Sequence, residues 1–268
     1  MPEPDYTAYS VSHEQAVLTY HKAGNGRQAL LTFHGFGQDY RAFGPWVAAH
    51  AEKYTFYSFN LFFHAQSTWG QGEVPLEKHQ WKTLIALFLQ QHHLDRFSVA
   101  GFSLGGKFAL ATLEAFSQQI DRVFLIAPDG IRISPWYDLA TYPFITRRFF
   151  KSLIDHPRRL TWLVNLIQGL SLADKKLLRF VQSQMDTQEK RTRVYYSWVV
   201  FRHLRFHLPA LAQLFNEQGI ALTMITGKYD QVVYPAWMNR LLKRLSNYDA
   251  QVLEAGHNDL IRVDGLRR

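Results

Sequence analysis

An alternation of two patterns constrains this chain more than any other feature. Short apolar runs rich in β-branched and aromatic residues occur at 29–33 (ALLTF), 55–59 (TFYSF), 97–102 (FSVAGF) and 122–127 (RVFLIA). They are short and bounded by Gly, Pro or Asn, which predicts buried strands. Between them, PWVAAHAEK and LEKHQWKTLIALFLQQHH place apolar residues three and four apart, which predicts helices. Successive strands joined by helices must return to the same sheet, so the alternation predicts an α/β fold with a mostly parallel central sheet covered by helices on both faces. After residue 210 the pattern resumes: ALAQLFNEQ as helix, 220–226 as strand, PAWMNRLLKRLS as a helix opened by Pro235, 250–255 as a last strand, and NDLIRV as the start of a terminal helix. The stretch YSVSHEQAVLTYHKAGNG near the start predicts two antiparallel strands ending in a Gly-Asn-Gly turn.

Residues 131–210 break the alternation. The segments PFITRRFFKSLI, RLTWLVNLIQGL, ADKKLLRFVQSQM and RTRVYYSWVVFRHLRFH all carry helical spacing. The predicted organisation is a core domain formed by 1–130 and 211–268, interrupted by a helical insertion over 131–210. This segment also holds the charge. The chain carries a net charge of +8, yet 141–209 alone contains 13 Lys and Arg against four acids, which leaves the remainder near neutral. Such a basic face fits an anionic substrate such as a carboxylate or a phosphate-bearing acyl carrier, or an anionic membrane surface, or a solvated helix face, which is the default. The interleaved aromatics Phe149, Phe150, Trp162 and Trp198 read as packing rather than as platforms for bases, so no nucleic-acid partner is expected. With no cysteine, the chain can form no disulfide, thiolate nucleophile or Cys-ligated metal centre. The opening MPEPDYTAYS lacks a signal-peptide pattern and no apolar run approaches a membrane span, so a soluble, cytoplasmic protein is expected.

Chemistry concentrates at Gly101-Phe102-Ser103-Leu104-Gly105, directly after one predicted strand and opening a predicted helix. A sharp strand-to-helix turn crowds the backbone two residues either side of its apex, which suits Gly101 and Gly105 and holds the Ser103 hydroxyl clear of the sheet. Taken alone, Ser103 is either a nucleophile or the N-cap of that helix. A serine nucleophile needs a base and a group to orient it. Asp230 and His257 each fall just past a predicted strand, on the rim where open α/β sheets place their sites. Asp129 follows another strand and is the alternative acid. His34 reads as a backbone hydrogen-bonding residue, and His203 and His207, four apart on a predicted helix, lack the third ligand a metal would need, so no metal site is expected. Lys107, one turn into the helix, reads as a surface charge.

These motifs together resemble the α/β-hydrolase superfamily over nearly the whole chain. HGFGQ at 34–38 resembles its oxyanion loop, GFSLGG its nucleophile elbow, GKYDQVV its acid loop and EAGHNDL its histidine loop, in the order Ser, acid, His. The resemblance implies a Ser103, Asp230, His257 triad and an oxyanion hole from the Phe36 and Leu104 amides. It further implies a pocket bordered by Phe36, Phe102 and Phe63, a helical lid over 131–210, a small-molecule substrate and no cofactor. The activity it implies is hydrolysis of a small, mainly apolar ester or thioester. The alternatives are a carbon-carbon bond hydrolase or lyase using the same residues, and a non-enzymatic ligand-binding protein. A dehalogenase of this family would carry Asp at position 103. The chain departs from the family at NLFFHAQS (60–67), where Phe63 and Ala65 stand in place of glycines, so the turn's path cannot rest on glycine's conformational freedom.

Overall fold

The computed structural model describes residues 4–169 and 182–266. The strands are β1 (Thr7–His13), β2 (Ala16–Ala23), β3 (Gln28–Phe33), β4 (Tyr54–Phe59), β5 (Thr68–Trp69), β6 (Phe97–Phe102), β7 (Ile120–Ile126), β8 (Ala221–Gly227) and β9 (Tyr248–Leu253). They form one sheet in the order β1-β2-β4-β3-β6-β7-β8-β9, with β5 beside β2. From β4 to β9 every pairing is parallel, and the β1–β2 hairpin joins antiparallel at one edge. The two strands predicted near the start therefore form, and Gly24 follows them with φ +80°.

Helices α1 (Gly44–His50), α2 (Lys78–His92), α3 (Gly105–Phe116), α8 (Leu208–Glu217) and α9 (Pro235–Leu242) accompany the sheet. Phe33 packs against Trp81 of α2 and Phe108 of α3, while Phe124 packs against Trp46 of α1. Phe33 is in register, through Gly101, with Leu125, and Phe124 is its neighbour in sequence. Adjacent residues of a strand face opposite ways, so α2 and α3 cover one face of the sheet and α1 the other. Buried on both sides, the central strands carry the unbroken apolar runs read from the sequence. The predicted terminal helix is a 3-10 turn, His257–Arg262. His92, which the sequence places at a helix C-terminus, accepts or donates a hydrogen bond with the Tyr20 hydroxyl at 2.7 Å within a cluster of aromatic rings.

The chain divides into two compact units. One comprises Met1–Gln71, Glu77–Arg132 and Leu204–Arg268; the other comprises Gly72–Leu76 and Ile133–His203. The second thus includes five residues, 72–76, from within the range predicted as core. It contains α4 (Pro135–Thr141), α5 (Phe144–Ser152), α6 (Pro157–Gly169) and α7 (Gln188–Val200). The helix predicted over 173–185 lies mostly outside the described residues. The helix predicted over 191–207 stops at Val200, passes into a 3-10 turn (Phe201–His203), and is followed by irregular chain up to Leu208. Glu73 organises this unit: its carboxylate meets Lys151 Nζ at 2.6 Å and Arg147 Nε at 3.8 Å, and the Leu76 amide donates to the Val200 carbonyl at 2.8 Å. Burial works to raise the Glu73 pKa, but hydrogen bonds from Lys151 and Tyr195 and the charges of Lys151 and Arg147 outweigh it and hold the carboxyl below its ordinary value.

Candidate active site

Ser103 sits where β6 turns into α3, with φ +50°, a left-handed conformation that is uncommon for a residue with a side chain. The surrounding backbone imposes it. The Ser103 amide donates to the Ile126 carbonyl at the end of β7 (2.9 Å), and its carbonyl accepts from the Asp129 amide at 2.8 Å. The flanking glycines are needed for contact rather than flexibility. A Cβ on Gly101 would lie 2.5 Å from the Gly105 carbonyl oxygen, and a Cβ on Gly105 would lie 1.9 Å from that of Phe33.

The loops after β8 and β9 bring the other two residues to it. His257 Nε2 lies 2.9 Å from Ser103 Oγ, and His257 Nδ1 lies 2.6 Å from Asp230 Oδ2. Asp230 is buried, and its second oxygen accepts from the Val232 and Val233 amides at 2.7 and 2.9 Å. An ionised carboxylate can only accept, so the imidazole proton resides on Nδ1 and Nε2 presents a lone pair to the serine hydroxyl. A carboxylate anchored by two backbone amides thus sets one histidine tautomer. Phe102 is buried, with its ring tilted against the His257 ring at 5.1 Å between centroids.

Asp129, the alternative acid, points elsewhere. Its carboxylate lies 3.2 Å from Lys107 Nζ and also accepts from the Gly130 amide at 2.7 Å. Lys107 is not the surface charge its residue type suggests: only 3% of it is exposed, in the first turn of α3 beneath the 127–130 loop. His203 and His207 do not share a helix, since His203 closes the 3-10 turn and His207 precedes α8. Among the described residues, no group of three or more His, Cys, Asp or Glu side chains is arranged to hold a metal ion.

The 34–38 loop is held by two histidines. His34 is buried; its Nδ1 donates to the Gly35 carbonyl (2.7 Å) and its Nε2 accepts from the Leu61 amide (3.0 Å). His64 repeats the arrangement, donating from Nδ1 to the Phe62 carbonyl (2.9 Å) and accepting at Nε2 from the Gly37 amide (3.0 Å). Both must be neutral to accept. Among the described residues, no hydrogen bond engages the amides of Phe36 or Leu104, which lie in the loop so fixed and beside Ser103. In the glycine-free turn, Phe63 and Ala65 themselves adopt φ +68° and +46°, at a backbone cost of the order of 1 kcal/mol each. The His64 bonds and Ser67, whose hydroxyl donates to the Asn60 carbonyl at 2.7 Å, hold the turn in place. Phe62 is fully buried and Phe63 half-buried. The sequence reading missed His64; its one signal was an unexpected polar residue inside the Phe-rich turn.

The parallel sheet, the elbow between β6 and α3 and the loops that converge on it define a hydrolase-type α/β architecture. A family model described as alpha/beta hydrolase fold matches residues 28–262, and the chain belongs to that family. No curated protein matches the sequence. Solved structures with the same fold include a thermophilic esterase from Thermogutta terrifontis (TM-score 0.69, 14% identity, covering 96% of this chain and 93% of that one). An enol-lactonase from Burkholderia xenovorans superposes with a TM-score of 0.65 at 17% identity, over 94% and 93% of the two chains. A thioesterase domain from the curacin biosynthetic pathway does so at 0.64 and 13% identity, over 97% and 96%. At these identities the likeness is one of fold.

Proposed function

We propose that the protein is a serine hydrolase that cleaves a small, mainly apolar ester or thioester through an acyl-enzyme on Ser103. The observation that carries this reading is the continuous chain from Ser103 Oγ through both nitrogens of His257 to the buried Asp230. In the proposed reaction, Ser103 Oγ attacks the substrate carbonyl while its proton passes to His257 Nε2. The tetrahedral oxyanion is met by the Phe36 and Leu104 amides, a contribution of about 3 kcal/mol per donor in such sites. Collapse expels the alcohol or thiol, which takes the proton back from His257. Water then repeats the sequence on the acyl group and frees Ser103. Asp230 holds the Nδ1 proton and balances the imidazolium that forms.

The helical unit over 133–203 would serve as the lid, with Phe36 and Phe63 bordering the substrate. The esterase, lactonase and thioesterase among the solved structures of this fold make acyl transfer a natural class to test. A fluorophosphonate probe should label the native protein and leave Ser103→Ala unlabelled, and a panel of esters and thioesters of graded acyl length should then separate the substrate classes. A native protein that stays unlabelled alongside a labelled control hydrolase would end the acyl-enzyme reading.

A further inference from the structure

The basic excess of the insertion does not form one solvated face. Arg191 is buried and donates to the carbonyls of Ile154, Met185 and Asp186. Arg202 is buried as well, and Arg147 and Lys151 are engaged by Glu73. Arg148, Arg158 and Arg159 differ: they are exposed and, among the described residues, form no ion pair.

Their neighbours are apolar. On α6, Arg158, Trp162 and Leu166 follow one another at four-residue spacing with Arg159 alongside, so the four side chains share a stripe about 100° wide. The buried residues of the same helix, Leu160 and Val164, lie on the opposite side. The outward face of α6 is thus a Trp and a Leu, 58% and 42% exposed, bracketed by two arginines. A soluble helix normally turns polar residues to water, and a face that combines cations with large apolar side chains matches the chemistry of the bilayer interface.

We infer that the outward face of α6 docks on an anionic lipid surface, with Trp162 and Leu166 entering the headgroup boundary and Arg158 and Arg159 meeting lipid phosphates. A polynucleotide would satisfy the arginines but offers nothing to Leu166, which cannot stack on bases. This docking is independent of the acyl-enzyme reading.

Co-sedimentation of the full chain with phosphatidylcholine vesicles, made with and without phosphatidylglycerol, tests the inference. Binding is expected only to the vesicles containing phosphatidylglycerol, and raising salt from ~0.1 to ~1 M should release it as the screening length falls from about 10 to 3 Å. The double variant Arg158→Ala/Arg159→Ala should weaken partitioning about 30-fold. Trp162→Ser/Leu166→Ser should weaken it at least as much, because every substituted side chain is exposed and the helix packs through Leu160 and Val164; a melting curve of each variant confirms the fold. Absence of binding to the anionic vesicles would overturn the inference. So would binding that the serine variant leaves intact, or binding to duplex DNA that matches binding to the vesicles.

Discussion

Replacing either member of the Lys107–Asp129 pair should have unequal consequences, and the inequality follows from burial. Lys107 is 3% exposed, whereas the Asp129 side chain is 37% exposed. Asp129→Asn would remove the carboxylate that lies 3.2 Å from the Lys107 ammonium in a nearly dry site, in the first turn of a helix whose dipole already disfavours cations. Breaking a fully buried pair in this way costs about 3–5 kcal/mol, and the partial exposure of Asp129 brings the expectation down to about 2–3 kcal/mol. Lys107→Met keeps the apolar stem and leaves a carboxylate that water can reach, at a cost of roughly 0–1 kcal/mol. In thermal unfolding, Asp129→Asn should lower Tm by about 5–10 °C and Lys107→Met by only about 0–3 °C. The same comparison separates structure from chemistry. Asp230→Asn should cut kcat by ~10⁴ while scarcely moving Tm, because it withdraws the acceptor that fixes the His257 tautomer. If Lys107→Met proved the more destabilising change, the burial argument would fail. If Asp129→Asn abolished turnover while Asp230→Asn did not, the acid would be Asp129.

Three further perturbations probe the loops around Ser103 and the second unit. His64→Ala removes the acceptor that pins the Gly37 amide, and kcat should fall about 10²-fold, with KM little changed, if that loop carries an oxyanion donor. Gly105→Ala would drive a Cβ to 1.9 Å from the Phe33 carbonyl oxygen, so soluble yield should collapse or stability fall by more than ~3 kcal/mol. A normally melting Gly105→Ala protein would refute that contact. For Glu73, the folded-state pKa is depressed, so its contribution is present at neutral pH and is lost as pH falls below the ordinary carboxylate range through the lowered value. Melting curves taken from pH 7 down through the carboxylate range to about pH 3 should show a steeper loss for the native protein than for Glu73→Gln.

Much of this architecture was legible because burial leaves a pattern. The central strands are covered on both sides, so each appears as a short apolar run, and Asp230 could be placed because it follows one; His257 follows β9, an edge strand of alternating exposure. Ser103 stood between two glycines whose absence of side chains the neighbouring carbonyls enforce. What escaped notice depends on partners distant in sequence. The burial of Lys107 is set by the 127–130 loop after β7, and the role of His64 by the Gly37 amide, 27 residues before it. Residue type misled in both cases, since lysine is usually a surface residue and a histidine in a loop usually meets water. Helical spacing likewise continued past Val200, where the buried Arg202 instead turns its guanidinium to the Glu73 and Val199 carbonyls and the helix gives way to a 3-10 turn.

The position of β9 has a kinetic consequence. Ser103 rises from β6 in the middle of the sheet, but His257 follows β9, the outermost strand, which is paired on one side only. Edge strands open at lower free energy than the centre of a sheet. Each such opening carries away His257 and leaves the elbow folded, so in the proposed reaction Ser103 would lose its proton acceptor before the core is lost. Amide exchange across β9 should therefore track the thermal loss of activity, while exchange in β6 reports only global unfolding.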